Sequence, residues 1–276
     1  MNAEAVRTLT RRIREKHPLI HSITNTVVQN FTANGLLALG ASPVMADAPE
    51  EAGEMARAAD GLLINIGTLT SGTREAMNQA LLAANAKGIP TVLDPVGVGA
   101  TAYRNETVQS FLSTGSFTVI RGNIAEIAHT IERPLPLKGV DAGEVPLEVR
   151  IEVTREAAQK LEAIVAATGP EDVITDGRHT LIVQNGDAWM TRVTGVGCLL
   201  GAVVAAYLAV ADDPFQATSA ALLAYGVAGE VARERLRLHQ HEGIGSYGVR
   251  LIDALDELPD LLVEDRLKFY EVHDRT

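Results

Sequence analysis

Apolar residues along the chain follow two alternating patterns. One is a short continuous run of four or five; the other recurs every three or four positions over ten or more residues. The first suits strands buried on both faces, the second helices with one face turned to a core. Ala3–Lys16 carries the helical period and ends at His17-Pro18, followed by a short strand over Leu19–Ile23. Thr24-Asn25-Thr26 opens a helix running to Leu39, with Gly40 at the position where a left-handed residue closes it. Pro43–Ala46 reads as a short extended piece and Pro49–Ala59 as a helix. Gly61–Ile66 reads as a buried strand, and Thr73–Ala86 as a helix stopped by Gly88. The alternation continues with a strand at Thr91–Leu93 and a helix near Arg104–Leu112. Next come a strand at Phe117–Ile120 and a short helix from Ile124. Leu135–Pro146 is loop-like, Glu152–Ala167 carries a helical period, and Asp172–Thr175 is a strand. Thr180–Gln184 and Ala188–Val193 read as a hairpin turning at Asn185-Gly186. The apolar stretch after Val193, then Pro214–Leu238, Gly245–Leu258 and Leu261–Tyr270, read as helices.

Strands alternating with helices predict an α/β fold with a mostly parallel central sheet covered on both faces. No long Pro/Gly/Ser linker, repeat or low-complexity tract interrupts residues 1–276, so one domain is expected, without a separate lid. In such sheets ligands bind beyond the carboxyl ends of the strands. Four polar or glycine-rich segments are expected there: Asn65–Thr68, Asp94–Thr101, Arg121–Glu126 and Thr194–Cys198. The last leads from Gly195 and Gly197 straight into an apolar helix. That makes bare backbone in front of a helix N-terminus, a cradle for an anion.

Composition narrows the chemistry. With net charge −11, the chain does not suit nucleic acid, whose binding rests on Lys and Arg. One cysteine, Cys198, excludes an intrachain disulfide and a cysteine-rich zinc site, and fits a cytoplasmic setting. The longest apolar run, the 14 residues from Cys198 to Ala211, would span about 21 Å as a helix. That is short of the ~30 Å hydrocarbon core of a bilayer, so no membrane association is expected. The turn lacks the G-x-G-x-x-G spacing, and no glycine precedes lysine as a Walker A loop requires. An oxygen-ligand pattern remains. Asp94 at a strand end and Glu126 three residues after Asn123 suffice for Mg²⁺, which takes few carboxylates and keeps phosphate oxygens and water. Asn123 and Glu126 equally suit N-terminal capping of the short helix. Arg121 suits a phosphate or a salt bridge.

The segment His21–Met45 (HSITNTVVQNFTANGLLALGASPVM), with LDPVGVGAT, IRGNIAEI, VITDG and VTGVGC, closely resembles hydroxyethylthiazole kinase of the ribokinase-like superfamily. The resemblance runs in order from the N-terminal helix to beyond residue 210. It implies a ribokinase-like three-layer fold and transfer of phosphate from ATP to the hydroxyl of 4-methyl-5-(2-hydroxyethyl)thiazole, a step of thiamine salvage. By the same resemblance Asp94 and Glu126 match positions that manage Mg²⁺ and phosphate. Arg121, Thr168 and Gly195 match nucleotide-binding positions, with Asn123 and Thr194 beside them. Asn25, Met45 and Gly67 match the thiazole side. Cys198, flanked by Gly195 and Gly197, stands where related sugar kinases carry an aspartate base. Val196 replaces the family's usual Thr in the turn, which would remove a hydroxyl contact to phosphate. A homotrimer with sites at subunit interfaces is also implied. The alternatives are a related kinase for a hydroxymethylpyrimidine or a sugar, and a non-catalytic thiazole-binding protein.

Overall fold

The computed structural model describes residues 1–133, 135, 145–238 and 243–272. Most of the loop expected over Leu135–Pro146 lies outside these residues. The elements run α1 (Ala3–Lys16), β1 (Leu19–Ile23), α2 (Gln29–Leu39), β2 (Ser42–Val44), α3 (Pro49–Ala58), β3 (Gly61–Asn65) and α4 (Ser71–Lys87). They continue with β4 (Thr91–Asp94), α5 (Ala102–Thr114), β5 (Val119–Asn123), α6 (Ile124–Thr130), α7 (Leu147–Leu161) and β6 (Ile164–Thr168). The last are β7 (Asp172–Thr175), β8 (Thr180–Val183), α8 (Val196–Leu208), α9 (Pro214–Arg237), α10 (Ile244–Asp256), α11 (Leu258–Leu261) and β9 (Phe269–Glu271).

The nine strands among the described residues form one sheet in the order β2-β1-β3-β4-β5-β6-β7-β8-β9. The first six are parallel and the last three antiparallel. Side chains alternate across the sheet, so the inner strands feed two cores. Ile20, Leu63, Val92, Val119 and Ala166 pack with α1, α2, α8, α9 and α10 on one face. Ile23, Leu62, Leu93, Ile120 and Val165 pack with α3 to α7 on the other. This is the three-layer α/β architecture expected from the alternating pattern. No helix among the described residues is long and apolar enough to cross a membrane.

Three expected elements are different in the structure. The helix predicted over Glu152–Ala167 is instead α7 followed by β6. Glu162 takes a left-handed conformation (φ 49°) that ends the helix, and Ile164–Thr168 is a strand between β5 and β7. The alanines there satisfied a helical period but serve a strand buried on both faces. The expected hairpin across Asn185-Gly186 does not form. Ala188–Arg192 is a 3₁₀ turn started by the Asp187 side chain, which accepts from the Trp189 N–H. The Asn185 amide and Gly186 N–H both donate to Glu230 on α9, which directs the chain away from β8. The helix expected over Leu261–Tyr270 does not form: Glu264–Arg266 is a 3₁₀ turn, and Phe269–Glu271 is β9, which pairs with β8 and covers its edge.

At the end of α8 remote from the cradle, the buried Tyr207 hydroxyl lies 2.6 Å from the Thr10 hydroxyl of α1. Thr10 donates to the Val6 carbonyl, which leaves Tyr207 to donate to Thr10. Tyr207→Phe removes one buried hydrogen bond and is expected to cost about 1 kcal/mol of unfolding free energy. Denaturant titration checks this, and kcat is expected to stay at the wild-type value.

Candidate active site

Parity and register build the site together. Asn65, Asp94, Arg121 and Thr168 each stand two residues after an apolar residue that faces α8, namely Leu63, Val92, Val119 and Ala166. A period of two therefore turns all four polar side chains toward the same helix. Asn65 pairs in register with Asp94, and Asn123 with Thr168, so the carboxyl ends lie level. The first turn of α8 ends directly above this row.

Continuous hydrogen bonds join the row. Arg121 donates through Nη2 to the Thr168 hydroxyl (3.0 Å), and through Nη1 to Asp94 Oδ2 (3.0 Å) and the Gly197 carbonyl (3.0 Å). Asn65 Nδ2 donates to the same Asp94 oxygen at 2.7 Å. Asn25 Nδ2 donates to Asn65 Oδ1 and to Cys198 Sγ, both at 3.2 Å, and Gly67 N–H donates to Asn65 Oδ1 at 3.0 Å. Asp94, 1% exposed, thus has two donors on Oδ2, whereas its Oδ1 is buried without a partner. Burial is the main cause that pushes the Asp94 carboxyl up to about 6, opposed by Arg121 and assisted by the charge of Glu126.

Glu126 and Asn123 form the capping box that the spacing allowed. Asn123 Oδ1 accepts from Glu126 N–H and Glu126 Oε2 from Asn123 N–H, both at 2.9 Å. Glu126 Oε1 also accepts from Gly97 N–H at 2.9 Å, so one carboxylate ties the loop after β4 to the start of α6. Arg104 fastens the neighbouring loops through the carbonyls of Ile66, Gly67 and Val96.

The fourth expected segment follows the 3₁₀ turn rather than a strand, yet it arrives at the same rim. Gly195 is left-handed (φ 98°), and a Cβ there would stand 2.8 Å from Val28, so the position requires glycine. No side chain caps α8; the Val196 N–H donates to the Val193 carbonyl, and the Gly197 and Cys198 N–H groups are left open. A Cβ at Gly197 would stand 3.6 Å from Arg121 Nη2, in the space between turn and guanidinium. Thr194 is exposed beside it. Val196 is different from what the turn motif implied. Its side chain is 3% exposed and belongs to the apolar core, so a hydroxyl at this position would point into the core rather than at a bound phosphate. Its carbonyl is held by the buried Tyr225 hydroxyl at 2.7 Å.

Asn25, Gly67, Asp94, Arg121, Thr168, Gly197 and Cys198 are therefore joined in one cluster, with Asn123 and Glu126 beside it. Met45 follows β2 at the sheet edge, on the same rim but outside the hydrogen-bonded row. Asn65 is the residue sequence reasoning passed over: it appeared as the start of a loop, although its spacing from Leu63 matches that of Asp94 from Val92. Among the described residues no three His, Cys, Asp or Glu side chains cluster as a metal site. An ion there would depend on one or two carboxylates and on ligand oxygens.

A model described as the hydroxyethylthiazole kinase family matches residues 10–260. The structure of the hydroxyethylthiazole kinase protein from Pyrococcus horikoshii OT3 is similar at 41% identity and a TM-score of 0.84, covering 98% of this chain and 100% of that one. A ribokinase-like superfamily protein from Enterococcus faecalis shares the fold at 11% identity and a TM-score of 0.65, covering 96% of each chain. The ADP/ATP-dependent NAD(P)H-hydrate dehydratase from Bacillus subtilis shares it at 16% identity and a TM-score of 0.62, covering 94% and 97%.

Burial is also the main cause that raises the Cys198 thiol above its ordinary value, and the charge of Asp94 adds to it. Hydrogen bonds from Asn65 and Asn25 and the charge of Arg121 pull it down without prevailing. At pH 7 the thiol therefore stays protonated. Iodoacetamide is expected to alkylate Cys198 more slowly at pH 7 than it does a free cysteine, with the rate still climbing at pH 9. Rapid labelling at pH 7 would show a thiol lowered in pKa instead.

Proposed function

The chain belongs to the hydroxyethylthiazole kinase family, and on that premise we propose that this cluster transfers the terminal phosphoryl group of ATP to the hydroxyl of 4-methyl-5-(2-hydroxyethyl)thiazole. The observation that carries the assignment of roles is the unbroken line from Cys198 through Asn25, Asn65 and Asp94 to Arg121, beneath the uncapped start of α8.

The transition state of phosphoryl transfer is loose, so catalysis rests on positioning and on neutralising charge at the phosphate oxygens. In this reading the N–H groups at Gly197 and Cys198 receive the transferring phosphoryl. Arg121 places positive charge below it, and Thr168 and Thr194 meet the nucleotide. Asn123 acts indirectly, by holding Glu126. The unpartnered Asp94 Oδ1, with Glu126 nearby, fits Mg²⁺, an ion that needs few protein oxygens. When bound, that ion neutralises charge on the phosphate oxygens. Asn25, Gly67 and Met45 border the acceptor. Cys198, protonated and accepting from Asn25, orients the hydroxyl. A strong base is not required, because the attacking oxygen need not lose its proton early. The trimer belongs to the same proposal. Val27, 70% exposed and two residues past Asn25, leaves an apolar surface at the mouth that a second copy of the chain would cover.

Incubation with ATP, Mg²⁺ and a panel of thiazole, pyrimidine and sugar alcohols should phosphorylate the thiazole alcohol. Transfer to a pyrimidine or a sugar alone would overturn the substrate assignment, and binding without transfer would overturn catalysis. Cys198→Asp places a carboxylate at the position where the sugar kinases hold their base, and it is expected to retain or raise kcat. Complete loss of activity in a folded Cys198→Asp variant would mean that the thiol packs against the acceptor.

A further inference from the structure

Arg150 and Asp172 lie outside the row just described, yet they control the turn on which Thr168 sits. Arg150 is on α7 and 3% exposed, and its guanidinium donates to the Glu171 carbonyl on the far side of that turn. A Cβ at Gly169 would stand 2.6 Å from Arg150 Nη2, so the guanidinium fills the space directly under the turn. From the other side, Asp172 Oδ1 accepts from Gly169 N–H at 2.9 Å, and the Asp172 carboxylate is attracted by both Arg121 and Arg150. Charges therefore alternate from the centre of the site outward: Asp94, Arg121, Asp172, Arg150.

Stability alone does not account for Arg150. Its Nε is buried without a partner, and burial works against its charge. A buried guanidinium with an unsatisfied donor is inferior to a well-packed apolar side chain as a source of stability. What an apolar residue would not supply is a donor to Glu171 and a cation opposite Asp172, and both fix the path of residues 168–172.

We propose that Arg150 is a positioning residue for the nucleotide: with Asp172 it holds the Thr168–Asp172 turn where Thr168 and the turn backbone meet ATP. This rests on the assignment of Thr168 to the nucleotide. The acceptor side lies across Asp94, at Asn25 and Asn65, and neither of these residues bonds directly to this turn.

The test is steady-state kinetics with each substrate varied separately. Arg150→Met keeps the packed stem and removes the donors. It is expected to raise KM for ATP about tenfold, the scale of a lost charge-assisted hydrogen bond, while KM for the thiazole alcohol and kcat stay within about twofold. Arg150→Lys, which keeps a cation and a donor, is expected to recover most of the ATP affinity. Gly169→Ala presses on the same guanidinium from above and is expected to raise KM for ATP in the same selective way. It decides the matter if Arg150→Met does not fold. Equal increases in both KM values, or an unchanged KM for ATP, would overturn the role of Arg150. Thr168→Val, measured alongside, separates the two assignments. An ATP KM unaffected by Thr168→Val removes Thr168 from the nucleotide. An ATP KM raised by Thr168→Val but not by Arg150→Met or Gly169→Ala removes only the role of Arg150.

Discussion

The buried contact between Arg121 and Asp94 is the constraint on which the site depends. Their 3.0 Å ion pair joins neighbouring parallel strands at the carboxyl end of the sheet, with both side chains turned toward α8. Taking two charges out of water costs several kcal/mol per ion, and their attraction offsets this when the remaining donors and acceptors are also satisfied. Here that satisfaction is extensive, and it leaves only Asp94 Oδ1 and Arg121 Nε of the pair without partners. Arg121 reaches the α8 carbonyl at Gly197 and the Thr168 hydroxyl, while Asp94 takes a second donor from Asn65. The pair thereby fixes the spacing between the sheet and the start of α8, the dimension that a phosphoryl group would have to fit.

Cys198 is placed by the same geometry. The left-handed Gly195 and the Tyr225 hydroxyl on the Val196 carbonyl set the first turn of α8, which brings the thiol to Asn25. Asn25 and Asn65 relay that position to Asp94 through amide hydrogen bonds, without adding charge. An acceptor hydroxyl held beside Cys198 and a phosphate held beside Arg121 would lie at two ends of one rigid network. For phosphoryl transfer through a loose transition state, such orientation is the protein's main contribution.

Much of this was legible in the sequence because short-range rules decide it. Continuous apolar runs ending in Asn65, Asp94 and Arg121 indicate both the buried strands and the polar rim. The spacing of Asn123 and Glu126 indicates the capping box that the structure contains. Local rules failed where distant partners decide the outcome. Ile164–Thr168 has a composition compatible with a helix and becomes a strand because β5 and β7 flank it. Asn185-Gly186 has the chemistry of a hairpin turn, but Glu230, far along the chain, takes its donors. Val196 appeared to belong to the phosphate turn by position. Helix geometry turns its side chain inward, a direction that depends on where α8 packs. Arg150 carried no signal, since nothing in the α7 sequence indicates which turn lies above it.

The network also has a thermodynamic consequence. A carboxyl whose pKa is raised by folding is less stable ionised in the native protein than in the unfolded chain. For Asp94, raised from an ordinary 3.8 to about 6, the folded state is therefore favoured most strongly at low pH. The contribution falls as pH rises between those two values and is constant above about 6. At neutral pH the ionised Asp94 costs on the order of 3 kcal/mol relative to a freely solvated carboxylate. Neutral side chains at this point of the sheet would avoid that cost. Retaining a buried carboxylate with one unsatisfied oxygen makes sense if a cation completes its coordination during function. The cost of the buried carboxylate and the proposed Mg²⁺ role are then two aspects of one arrangement. Arg121 favours the ionised Asp94 that such an ion would need, and burial leaves its Oδ1 without a competing partner.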